Sequence, residues 1–358
     1  MAKLFEPIKI KSITLKNRIV ISPMCEYSSV DGFANNWHFV HLGSRAVGGA
    51  GLIILEATAV SPEARITPDD LGLWKDEQIT ELKKIVGFMH DNGAVAGVQL
   101  AHAGRKASHE SPWKGNQLIH SNVPEGWQTV APSAISYKEG TELPIALDEA
   151  GIAKIIHDFR EATRRCIEVG FKVIELHAAH GYLLHQFLSP LTNIRTDQYG
   201  GSFENRIRLL LEVTAAVQEI WPADLPLFVR ISATDWAEDG WTAEESVKLS
   251  AILKDQGVDL IDCSTAGLVS WQKIPAGPAF QVPFAAQVKK ETGILTGAVG
   301  LLTDAKHMEE ILSSEQADLI LIARESLRDP YFPLHAAQQL GVDLIWPVQY
   351  DRAKHQHK

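Results

Sequence analysis

Short apolar runs and longer amphipathic stretches alternate eight times along this chain, and that alternation constrains its fold more than any other feature. The runs Arg18–Pro23, Gly51–Ala57, Ala94–His102, Lys172–His177, Leu225–Ser232, Val258–Ser264, Ile294–Val299 and Asp318–Ala323 read as strands. Most are near-continuous in leucine and β-branched residues, the pattern of parallel strands covered on both faces. Helical patterns fall between them, the clearest over Asp148–Gly170, Phe203–Trp221, Ala243–Gln256, Phe280–Thr292, Asp304–Ser313 and Tyr331–Leu340. Asp148, Thr242 and Thr303 read as helix N-caps, and Gly170, Gly257 and Gly293 as C-terminal glycines. Eight such units argue for an α/β fold closed as a (β/α)8 TIM barrel. An open doubly wound sheet is the structural alternative.

The chain has 358 residues, more than the roughly 250 of a typical barrel. Part of the excess precedes the first strand, where Phe5 to Lys16 alternates like a β-hairpin and is expected to cap the barrel bottom. The rest lies in two extended loops, Ala103 to Leu147 after strand three and Gly267 to Ala279 after strand six. Long excursions on the strand-exit side usually serve as lids or walls, which makes Trp113, Trp127, Tyr137 and Trp271 candidate pocket walls. No second domain is indicated. Residues 1–358 read as one barrel domain ending in an arm over about 341–358.

A composition of 45% hydrophobic and 22% charged residues supports a sizeable core. The formal net charge of −10 argues against a nucleic-acid or anionic-membrane partner. No apolar stretch has the length of a signal peptide or a membrane span, so a cytoplasmic location is expected. Cys25, Cys166 and Cys263 have neither disulfide-framework nor metal-like spacing, and no metal is expected.

In a barrel the chemistry belongs at the C-terminal strand ends. The fourth strand runs into His177, His180 and Tyr182. Residues three apart on a continuing strand face opposite ways, so the two imidazoles converge only if the strand ends there. Two ring donors and a phenol at one strand end can grip a carbonyl or phenolate oxygen. Strands seven and eight end in Gly297-Ala-Val-Gly300 and Ala323-Arg324, where barrels often bind phosphate; Gly300 admits an anion to the backbone and Arg324 offers a forked partner. Strand one ends in Pro23, Met24, Cys25, Glu26 and Tyr27, strand three in Gln99 through Lys106, strand five in Arg230. Each has a plainer reading: Cys25 as a small buried hydrophobe, Arg105 and Lys106 as solvated cations, Glu56 and Glu175 as paired acids in the barrel wall. His38 and His41 on a predicted helix show how common such histidine spacing is. No dinucleotide fingerprint or P-loop is present. An aldolase or synthase with Lys106 as a Schiff-base lysine is an alternative on the same fold.

Four strings together resemble one family. Pro23-Met-Cys-Glu-Tyr27, Gln99-Leu-Ala-His-Ala-Gly-Arg-Lys106, His177-Ala-Ala-His-Gly-Tyr182 and Arg195-Thr-Asp-Gln-Tyr-Gly-Gly-Ser-Phe-Glu-Asn-Arg206 are similar to those of the old yellow enzymes, in order across essentially the whole chain. The likeness is greatest to the thermophilic-like subgroup that includes the xenobiotic reductases. It implies non-covalent FMN, with NADPH or NADH as reductant, in an ene-reductase acting on enones and on nitro- or quinone-like acceptors. Under it Pro23, Met24, Cys25, Ala57, Gln99 and Arg230 would lie against the flavin, and Val299, Gly300, Ala323 and Arg324 would hold its phosphate end. His177 and His180 would donate to the substrate oxygen, with Tyr182 as proton donor and Cys25, Tyr27 and Lys106 nearby. Arg352 resembles an arginine sent into a neighbouring subunit's site, which implies a homodimer or homotetramer. The tail Ala353 to Lys358 departs from relatives that place an aromatic there, and Ala298 stands where some xenobiotic reductases have tryptophan, suggesting a roomier pocket. A non-catalytic flavin-binding barrel is a further alternative. An iron–sulfur-containing dienoyl-CoA reductase type lacks the cysteines it needs.

Overall fold

The computed structural model describes residues 2–354. A hairpin, β1 (Ile8–Ile10) and β2 (Ile13–Leu15), precedes β3 (Ile19–Ile21), α1 (Asn36–Val47), β4 (Leu52–Ala59), α2 (Ile79–Asp91) and β5 (Val95–Ala101). After β6 (Val130–Ala131) and β7 (Ile145–Ala146) come α3 (Glu149–Val169), β8 (Val173–Ala178), α4 (Leu183–Leu188), α5 (Phe203–Gln218) and β9 (Leu227–Ser232). The chain continues through α6 (Ala243–Asp255), β10 (Leu260–Ser264), α7 (Val282–Thr292), β11 (Leu295–Ala298), α8 (Ala305–Ser313), β12 (Leu319–Ile322), α9 (Arg324–Arg328) and α10 (Phe332–Gln339). Eight parallel strands close in the order β3-β4-β5-β8-β9-β10-β11-β12, and β12 pairs back onto β3. The open-sheet alternative is thereby excluded, and each barrel strand falls on one of the eight apolar runs.

Alternation along the strands builds two cores. Val20, Leu52, Ile54, Val173, Phe228, Leu260 and Leu319 face inward and pack with Ile10 and Leu15, so the hairpin does plug the barrel bottom. The intervening residues, among them Ile19, Ile21, Ile53, Ile174, Val229 and Ile320, face outward to the helices. Two steps above the inner apolar rung the same parity brings Glu175, Arg230 and Asp262 into the barrel, where Gln99 joins them. The strands thus carry an oily floor and a polar layer above it.

Three local expectations change. Asp304, not Thr303, caps α8, its Oδ1 accepting from the His307 N–H at 2.9 Å. Glu56, in β4, is buried and paired but does not face as alternation predicts: Leu55 pairs with Val98 and Ala57 with Gln99, so Glu56 is the extra residue of a bulge and its carboxylate meets His38. Ala298 is fully buried in the core between barrel and helices, so its size does not set the pocket's. At Thr242 the expected cap is present, with Oγ1 accepting from the Glu245 N–H at 3.2 Å and Glu245 Oε2 accepting from the Thr242 N–H at 3.1 Å. Thr242→Ala removes one arm of this capping box and is expected to cost about 1 kcal/mol, read as a lower urea midpoint with an unchanged slope.

Candidate active site

β8 ends one residue after His177, and the chain turns through Ala179, His180 and Gly181 into α4. His180 has φ +57° and Gly181 φ +74°, a double left-handed turn that brings both histidines to one side. The His177 ring lies edge-on to His180 at 5.2 Å and to Tyr182 at 4.9 Å. His177 Nδ1 accepts from the Ala179 N–H at 3.3 Å, which places the ring proton on Nε2. Burial, reinforced by Arg230, holds both imidazoles well below the usual histidine range, so they are neutral donors at physiological pH. Burial also raises Tyr182, which keeps its phenolic proton. His180 Nε2 lies 2.7 Å from Ser264 Oγ.

The polar layer lies beneath these groups. Gln99 Nε2 donates to Glu175 Oε1 at 2.8 Å. The Arg230 side chain lies 3.0 Å from Asp262 Oδ2 and donates to Ser22 Oγ at 3.2 Å. Of the two buried carboxylates in this layer only Asp262 meets the guanidinium, and Glu175 Oε2 has no hydrogen-bond partner among the described residues. Burial raises both acids, Glu175 to about 8, with Asp262 adding to the effect on Glu175. Burial thus favours the protonated form of each.

A cavity of about 300 Å³ opens at the ends of β11 and β12. His180, Val299, Gly300, Ala323, Arg324 and Arg328 are among its walls. Gly300 sits at φ +121°, and a Cβ there would come within 3.0 Å of Gln281 Nε2 and 3.2 Å of the Phe280 ring. The four residues proposed from sequence for an anion therefore share one cleft. Gln281 and Arg328 were not foreseen: Gln281 Nε2 donates to Val299 O at 3.1 Å and braces that wall. It comes from a different barrel unit, so no local pattern marks it.

The two basic residues after β5 are not solvated. Arg105 is buried and donates to Leu268 O at 2.8 Å and to Ile135 O and Ser136 O at 3.2 Å, joining the two long excursions. Lys106 Nζ donates to His180 O at 2.9 Å and Gly267 O at 3.0 Å, and lies over the Tyr182 and Tyr137 rings. Burial draws it down to about 8. Its hydrogen bonds commit this amine to two carbonyls, which speaks against a free Schiff-base nucleophile.

Pro23, Met24, Cys25 and Tyr27 follow β3 and are half-buried. Burial raises the Cys25 thiol, with Asp70 and Glu56 adding to it, so it is a thiol and not a thiolate. Tyr27 meets Trp113 edge-on at 5.8 Å. Sequence reasoning missed what anchors this loop: His38 lies 3.3 Å from Glu56 and His41 3.4 Å from Glu26, while Glu56 Oε2 accepts from the Glu26 N–H at 3.0 Å. Trp127 lines a separate cleft with Glu63, Arg65 and Pro124, its ring stacking on Arg65 at 4.9 Å and its N–H donating to Glu63 O. Trp113 and Trp271 are largely exposed. Arg352 sits in an exposed single turn and does not join this chain's own site. Of the tail after it, only residues 353–354 are described.

A barrel with neutral donors beside a cleft suited to an anion is built to hold a phosphorylated ligand or cofactor at its mouth. The sequence pattern of the NADH:flavin oxidoreductase / NADH oxidase family matches residues 3–343. NADPH dehydrogenase from Listeria monocytogenes serovar 1/2a is 51% identical over 355 residues, 99% of each chain, and that of Listeria innocua is 50% identical over the same span. Among solved structures, morphinone reductase in complex with tetrahydroNAD matches with a TM-score of 0.78 and 30% identity, covering 96% of this chain and 92% of that one. A 2-naphthoyl-CoA reductase matches at 0.85 and 25%, covering 95% of this chain and 52% of its own. The chain belongs to the NADH:flavin oxidoreductase family, the old yellow enzymes, whose members bind FMN and oxidise a nicotinamide. The residues fit that cofactor: Gly300 keeps the cleft open, Arg324 supplies charge at its rim, and the unpaired Oε2 of buried Glu175 and the Arg230 guanidinium sit in the polar floor beside it.

Proposed function

We propose that this flavin oxidoreductase is an ene-reductase that uses NADPH or NADH to reduce the activated C=C bond of α,β-unsaturated carbonyl compounds in two alternating half-reactions. The observation that carries this reading is the convergence of His177, His180 and Tyr182 at one strand end beside the cofactor cleft. Bound FMN supplies hydride transfer, from the nicotinamide and then to the substrate's β-carbon. Pro23, Met24, Cys25, Ala57, Gln99 and Arg230 seat its ring; Val299, Gly300, Ala323 and Arg324 seat its phosphate end. His177 offers its Nε2–H to the substrate's carbonyl oxygen, and His180 exchanges Ser264 for the same atom. Both are neutral and preorganised, so they stabilise negative charge that develops on oxygen without first losing a proton. Tyr182 holds its proton until the α-carbon needs it. Cys25, Tyr27 and Lys106 border the substrate, and Cys25 tunes affinity and potential as a neutral thiol.

The same reading takes nitro- and quinone-like compounds as further acceptors, keeps residues 1–358 as one domain in the cytoplasm, and extends Arg352 into the neighbouring site of a homodimer or homotetramer. Among the described residues no helix is long and apolar enough to cross a membrane. The test is anaerobic: add NADPH to the yellow holoenzyme, then 2-cyclohexenone. Bleaching followed by recovery of colour, with cyclohexanone as product, is the expected result. Bleaching that oxygen or a quinone reverses and cyclohexenone does not would overturn the ene-reductase reading.

A further inference from the structure

His180 is the one non-glycine member of the two histidines and tyrosine with a left-handed backbone, φ +57°. Such a conformation persists in a non-glycine residue only when its surroundings impose it. Its peptide groups are held from several sides by residues outside the site just described. The His180 N–H donates to Ser232 Oγ at 2.9 Å, and that hydroxyl donates onward to Ala266 O at 2.7 Å. The next amide, Gly181 N–H, donates to His185 Nδ1 at 2.9 Å. His185 Nε2 lies 2.8 Å from Asp235 Oδ1, with both side chains fully buried. Asp235 Oδ2 in turn accepts from Ser189 Oγ at 2.6 Å and from the Trp241 N–H at 2.7 Å. A carboxylate at Nε2 favours the ring proton there and leaves Nδ1 free to accept from Gly181. The turn also rests on the Gly267 backbone, since a Cβ on Gly181 would lie 2.2 Å from Gly267 O.

We propose that Ser232, His185 and Asp235 are positioning residues that fix the His180–Gly181 peptide and so aim the His180 ring at the substrate oxygen. The inference rests on the reading that His180 meets that oxygen. The backbone is pinned at both amides, while among the described residues the ring's Nε2 is held by Ser264 Oγ alone. Asp235 acts through His185, by holding its ring proton on Nε2 so that Nδ1 can accept from Gly181.

The test is a set of double-mutant cycles on the FMN-loaded enzyme, with 4-hydroxybenzaldehyde as the probe and the flavin absorbance as the readout. Ser232→Ala and Asp235→Asn are each expected to weaken probe binding about tenfold, the equivalent of one well-placed hydrogen bond, with FMN content unchanged. In a His180→Ala background each is expected to add less than about twofold, because the residue through which they act is gone. Ser232→Thr, which keeps the hydroxyl, is expected to restore binding. Equal factors with and without His180, or no change from Ser232→Ala, would overturn the positioning role while leaving the functional reading intact. An unchanged affinity in His180→Ala alone would instead overturn the reading of His180, and the inference with it. Should Asp235→Asn fail to fold, the Ser232 cycle decides alone.

Discussion

The His177→Ala/His180→Ala double variant is expected to lose at least about 10³-fold in kcat/KM for 2-cyclohexenone while still purifying with FMN. Removing one preorganised donor to a developing oxyanion typically costs 10² to 10³ in rate. Donors that act on one atom are not additive, so the loss is not expected to reach the product of two such factors. Flavin should remain because the cleft at Gly300 and Arg324 and the floor at Gln99 and Arg230 are untouched. The measurement is steady-state turnover together with the flavin-to-protein absorbance ratio. Wild-type turnover in the double variant would remove both histidines from the chemistry and leave Tyr182 or solvent as the polarising group. Loss of flavin would show instead that the pair supports the cofactor.

The barrel was legible because parallel strands buried on both faces must be apolar along their whole length, and eight such runs leave few ways to close. Strand-end chemistry was legible for the same reason: Glu175 and His177 break an apolar run at inward positions, where only a functional or paired residue belongs. What could not be read is everything that depends on a partner far along the chain. Glu56 looks inward by alternation, and only the bulge between Leu55 and Ala57 turns it toward His38. Arg105 and Lys106 look like loop cations until the two excursions fold over them. Ser232 ends β9 and Asp235 follows shortly after it, while His185 lies in α4, and nothing local marks them as supports for His180. The anion cleft was half legible, since Gly300 and Arg324 end their own strands while Gln281 arrives from a neighbouring unit.

The polar layer sets the second large effect, which depends on pH. Glu175 is raised to about 8 in the folded protein, against about 4.3 in an unfolded chain. Between those values the folded state holds a proton that the unfolded state has released. The stability tied to Glu175 is therefore full below about pH 4 and is lost as pH rises toward 8. Glu175→Gln cannot ionise and keeps an oxygen for the Gln99 amide, so it mimics the protonated acid at every pH. At pH 5 the variant should already be the more stable by about 1 kcal/mol, because the unfolded wild-type acid has largely ionised there. At pH 9 it should be the more stable of the two by about 2 kcal/mol, less than the full shift implies because Arg230 can turn toward the ionised acid. Urea unfolding of both FMN-loaded proteins at the two pH values measures this directly. An equal difference at pH 5 and pH 9 would mean that Glu175 is ionised throughout. Asp262 and Glu175 would then both be charged around Arg230, and the floor under the cofactor would carry a net negative charge instead of a retained proton.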